Sequence, residues 1–127
     1  WIVAERENGL RIIHILFGLC AITFGVAHFL YLEFTASMIP AFIPFPLFFA
    51  GFTGAGHIAA GLSVMTGIIA RLGSVLLALM YASFVVLLHI PRLLADLDNQ
   101  IEWTMLGHAT ALTGAALLVA SSLRKRS

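Results

Sequence analysis

Five histidines, His14, His28, His57, His89 and His108, are spread through a chain in which only 10% of residues are charged. An ionisable side chain inside an apolar segment is costly and normally faces a protein interior or a cavity. Burial keeps the imidazole neutral, the form that ligates a metal or haem iron or hydrogen-bonds a quinone oxygen. The spacing points inward. His14, Gly18, Ala21, Gly25 and His28 recur at helical steps, as do Ala50, Gly54, His57 and Gly61. Ser74, Ala78, Ala82, Val85 and His89 share a third face, and Thr104, His108, Ala111 and Ala115 a fourth. Small residues mark helix–helix contacts in membranes, so all four faces are expected to pack inside. His28, His57 and His108 form a candidate metal set. His89 and Glu33 join them in a wider cofactor site, Glu33 as a carboxylate that orients an imidazole. Met38 and Met105 add soft donors suited to copper, or simply pack. The plainer alternative is that histidines lock helices together. His14 in particular is expected to hydrogen-bond a serine, threonine or carbonyl on the next helix.

The elements that must position these side chains are apolar helices. Hydrophobic residues make up 61% of the 127, and the mean hydropathy is +1.02. A bilayer core takes about 20 apolar residues per helix. Four such runs are predicted at about 10–33, 46–68, 72–90 and 102–122, with Glu33 ending the first and Pro91 closing the third. They use nearly the whole chain. The expected fold is an all-α bundle of four transmembrane helices, a single integral membrane domain over 1–127, with no room for a soluble catalytic domain. No enzyme motif is present. Cys20 is alone, which excludes thiol–disulfide exchange within the chain and makes it a small apolar residue. The net charge of +1 forms no basic stripe, and no nucleic-acid partner is expected. The first run is too long for a cleaved signal peptide, and the start at Trp1 suggests that a few N-terminal residues are missing.

Arg6, Arg11, Arg71, Arg124, Lys125 and Arg126 fall on one side of this arrangement and Arg92 on the other. The positive-inside rule then puts both termini in the cytoplasm, and a bacterial inner membrane is the natural setting. Tyr31 and Trp103 sit at the opposite boundary. The outer side also carries FTASMIPAFIPFPLFF, where Pro40, Pro44 and Pro46 break helical regularity and an apolar, extended or re-entrant cap is expected. Counting about 1.5 Å per residue from the outer boundary places His28 at about 7 Å, His108 at about 8 Å, His89 within about 3 Å and His57 at about 16 Å. His28, His89 and His108 are thus expected to meet in the outer half, with His57 as a floor and His14 alone on the cytoplasmic side.

The segments GVAHF, MIPAFIP, FTGAGHIAAGLSVMTGIIARLGSVLLALM, LLHIPRLLAD and EWTMLGHATALTGAALLVA resemble the DoxX family of small four-helix membrane proteins over about residues 14–121. Many relatives carry a glutamate near the position of His57, where this chain has histidine. The resemblance implies the four-helix fold and a redox setting. Some members are similar to the small membrane subunit of a thiosulfate:quinone oxidoreductase, others are associated with membrane oxidoreductase complexes in oxidative-stress defence, and distant eukaryotic relatives look like assembly chaperones. Two functions follow as expectations. One is a redox-linked subunit of a membrane oxidoreductase complex with an outward-facing histidine site for a metal or quinone, haem fitting less well between close helices. The other is a non-catalytic structural or assembly subunit. Partners in both cases are the lipid bilayer and other membrane or periplasmic subunits. A transporter, with the outer histidines and Glu33 as an ion or proton site, ranks third because no internal repeat is visible.

Overall fold

The computed structural model describes residues 2–123. Its elements are α1 (Ile2–Leu30), α2 (Leu32–Ser37), α3 (Pro46–Thr66), α4 (Ala70–Phe84), a π-helical turn (Val85–His89), α5 (Ile90–Ala95) and α6 (Gln100–Ser122). No strand occurs among the described residues. Four helical stretches are long and apolar enough to cross a membrane, Val3–Leu30, Pro46–Thr66, Ala70–Ala95 and Gln100–Ser122. Leu16, Phe52, Leu79 and Leu118 are among many large apolar side chains left exposed, the exterior expected of a multi-pass helix bundle whose solvent is lipid.

Packing runs in two close pairs, α1 on α3 and α4 on α6, joined along α3 and α4. The first pair touches backbone to backbone. A Cβ on Gly25 would lie 2.6 Å from the Gly54 carbonyl oxygen, and one on Gly61 would lie 2.6 Å from that of Gly18. Only glycine allows this approach, which gains van der Waals contact that lipid cannot supply. Ala21, Ala60, Leu77, Ala78, Tyr81 and Ala116 form the buried centre where the four long helices meet.

The structure departs from the sequence expectations at three places. Helix one begins at Ile2 instead of near residue 10, because Glu5, Arg6, Glu7 and Arg11 are good helix formers that continue the ladder beyond the apolar run. It stops at Leu30, and Glu33 belongs to the separate α2, set off by the non-helical backbone of Tyr31 (φ −119°, ψ 40°). Pro91 does not close the third helix. The Ile90 N–H reaches back to Val85 O, an i to i−5 bond that widens the turn just before the proline ring, and the helix continues to Ala95. Between α2 and α3, the chain makes short turns held by Ile39 N–H to Ala36 O and Ile43 N–H to Pro40 O.

His14 Nε2 and Ser122 Oγ are 2.7 Å apart, which sets the start of α1 beside the end of α6. Arg71 shares a surface hollow with Ala120 and Ser121 at this same end. Arg92 lies at the other end, against Glu102 and the Met38 carbonyl. Arg124, Lys125 and Arg126, on which the sidedness expectation also rests, lie outside the described residues, as does Trp1.

Candidate functional site

Two histidines meet across the glycine-packed α1–α3 seam. His28 lies over Gly54, where an added Cβ would come within 2.9 Å of the His28 Cβ. This brings the His28 and His57 ring centroids to 4.8 Å. Each ring is tied to its own helix, His28 Nδ1–H donating to Phe24 O at 2.7 Å and His57 Nδ1–H to Thr53 O at 2.8 Å. A carbonyl only accepts, so these bonds fix the proton on Nδ1 and leave a lone pair on Nε2 of the neutral ring. His57 is 1% exposed and is enclosed by Tyr81 and Phe84, with ring centroids 5.3 and 6.2 Å away. It lies beside His28 and does not form a floor deeper in the membrane. The depth count fails because α1 stops at Leu30 while α3 runs on past it under α2.

A second cluster closes the same end of the bundle. The π turn inserts one residue, so His89 takes the place that Leu88 would hold in a straight helix, and it points inward. There its Nδ1 faces Glu102 Oε2 across 3.8 Å. Glu102 is 3% exposed, and its other oxygen accepts from Arg92 Nε at 2.7 Å and forms an ion pair with Nη2 at 2.6 Å. Arg92 Nη1 also donates to Met38 O, pinning the turn after α2 to this helix end. The His89 Nδ1 and Glu102 Oε2 atoms are buried, and at this separation neither has a hydrogen-bond partner among the described residues. Asn99 caps α6 by accepting from the Ile101 and Glu102 N–H groups, which sets where Glu102 sits.

A groove of about 1160 Å³ connects the two clusters. It follows the α3–α4 seam from Phe49 to Ser63, about 21 Å at the helical rise of about 1.5 Å per residue. Its walls are almost wholly apolar, with Leu72, Leu76, Met80 and Phe84 along one side. His28 and His89 line one end, with Met38 and Met105 nearby.

The expected site is therefore only partly assembled. His28 and His57 meet, and His28 and His89 line one groove, but His108 is exposed on the outer surface of α6. Its small-residue face points away from the other helices because α6 buries Ala109, Ala116 and Ala120 instead. Among the described residues, no three His, Cys, Asp or Glu side chains converge to hold a metal ion, so the set His28, His57 and His108 is not formed. Glu33 is exposed on α2 and makes no hydrogen bond or ion pair with a histidine among the described residues. The carboxylate that reaches an imidazole is Glu102. Its signal was Arg92, the single cation assigned to its side, whose closest acidic partner in the following helix is Glu102. His14 is bonded to Ser122 on α6, as expected for a residue that locks helices; the Ser122 hydroxyl proton goes to Val119 O, so His14 Nε2–H donates. Cys20 is exposed on the apolar surface.

No family model matches this chain, and no curated protein or solved structure matches it.

Proposed function

We propose that this chain is a DoxX-like, redox-linked subunit of a membrane oxidoreductase complex and that its groove holds a quinone-class lipid, headgroup at His28 and His89 and tail along α3 and α4. One observation carries this reading. The groove joins an apolar length of membrane dimensions to a polar end lined by the imidazoles of His28 and His89, which matches the division of such a lipid into head and tail. The site faces the outer side of a bacterial inner membrane, under the Pro-rich segment 38–45 as a cap, with both termini in the cytoplasm as the arginines at the other end favour. Electron donor and acceptor groups come from partner subunits. Organic extraction of the protein purified gently with those partners is expected to yield a quinone in stoichiometric amount, lost in His28→Ala and His89→Ala. Phospholipid alone in the groove would refute the proposal.

A second reading, a structural or assembly subunit, has support from α6. Gly107 and Gly114 have nothing within 4 Å of an added Cβ, and His108 lies exposed beside Gly107. This face suits a close helix from another subunit. Gly107→Leu should release the chain from a larger complex if that contact exists, while leaving quinone content unchanged.

A further inference from the structure

We infer that the groove selects a ligand that donates hydrogen bonds, a lipid-soluble hydroquinone over the matching quinone, and that Glu102 is the positioning residue that gives His89 this polarity. The inference rests on the quinone-class reading and adds which redox state is bound. It comes from following each polar proton along the groove. The Nδ1–H of His28 is committed to Phe24 O, so Nε2 faces a ligand as an acceptor. His89 Nδ1 faces a carboxylate oxygen that cannot donate, because the Arg92 guanidinium, through its Nε–H bond and ion pair, holds Glu102 ionised. A lone pair there would meet a negative charge, whereas an Nδ1–H meets it favourably. The proton therefore sits on Nδ1, and Nε2 is again the acceptor.

The hydroxyls that line the groove follow the same pattern. Thr35 donates to Tyr31 O, Thr53 to Phe49 O, Ser63 to Ile68 O and Ser83 to Met80 O, each spending its proton on main chain. Only lone pairs remain for a ligand. Tyr31 is the exception, a phenol at the exposed rim. A hydroquinone presents two O–H donors to this lining. A quinone presents two carbonyls, which find lone pairs opposite them and at most the Tyr31 hydroxyl as donor.

Glu102 sets one of the two imidazoles through the other nitrogen. In Glu102→Gln, the amide oxygen keeps the Arg92 bonds and the amide NH₂ turns toward His89. That side now donates, so the His89 proton moves to Nε2 and the groove gains a donor.

The test is equilibrium binding of a decyl benzohydroquinone and its benzoquinone, under anaerobic conditions, to the protein in lipid nanodiscs. The hydroquinone is expected to bind about tenfold tighter, the effect of about one hydrogen bond. Glu102→Gln should shrink that preference at least about threefold, through weaker hydroquinone and stronger quinone binding. ¹⁵N NMR of histidine-labelled protein should show Nε2 of His28 and His57 unprotonated in both proteins, which also reports that the variant is folded, and a proton on His89 Nε2 only in the variant. Equal affinities, or an unchanged preference in Glu102→Gln, would overturn the selection and leave the quinone-class reading standing. Binding of neither compound would overturn both. A proton on His28 Nε2 in the native protein would contradict the inference whatever the ligands do.

Discussion

His28 and His89 line one end of the same groove, yet they are held in opposite ways. His28 and its neighbour His57 each bond a carbonyl one turn back on their own helix, and their meeting depends on glycines that let α1 and α3 touch. His89 is set by a carboxylate from α6 that is itself held by Arg92. The first arrangement is local in its hydrogen bonds and sensitive to shape. The second depends on tertiary contacts and is sensitive to charge. A buried carboxylate needs its counter-ion, while an imidazole bonded to its own helix leaves nothing unpaired when it is removed.

Substitutions should separate the two regions, starting with charge. Arg92→Ala strands Glu102 without its counter-ion and should cost about 3 kcal/mol of stability, read from reversible unfolding in mixed detergent micelles. The double variant Arg92→Met with Glu102→Leu should recover most of that loss, because an apolar pair of similar volume carries no desolvation penalty. A single variant as stable as the native chain would remove the contrast between the two regions.

Shape comes next. Gly25→Ala must push a methyl against the Gly54 backbone and should cost about 1–3 kcal/mol, separating the α1–α3 pair. Gly107→Ala meets nothing and should stay within about 1 kcal/mol or stabilise α6 slightly. Equal effects at the two positions would mean that the glycine contact is not what brings His28 to His57.

The smallest effects should come from the histidines outside any tertiary hydrogen bond. His57→Leu keeps a similar volume and leaves no orphaned group, so its cost should remain below about 1.5 kcal/mol by the same unfolding assay. His108→Ala should change stability by no more than about 0.5 kcal/mol and leave ligand binding untouched. A larger effect of His108→Ala in the complex than in the isolated chain would mark its face as a subunit contact.

The membrane spans and the inward faces of His28 and His57 were legible in the sequence because hydropathy and the G-x-x-H spacing report helix faces directly; that the two rings meet side by side was not, since the depth count set His57 as a floor beneath His28. His14 was legible from its helix face as well. His108 was not, since a face of small residues reads alike whether it packs inside this bundle or waits for another chain. His89 was legible as an inward residue near His28, but the π turn that carries it was not, since it shifts the helical register by one residue and no periodicity announces it. Glu102 was obscured by its position in the first turn of α6, where a glutamate reads as a solvated helix start until Arg92 is seen folding back on it.

The groove's occupant can be located directly with a photoreactive benzoquinone carrying an alkyl tail, cross-linked in native membranes and mapped by peptide mass spectrometry. Labels confined to groove residues such as Met80, Phe84 and Met105, competed by excess hydroquinone and abolished in His28→Ala, are the predicted result. Labels scattered over the lipid-facing surface of α6 and indifferent to His28 would contradict it.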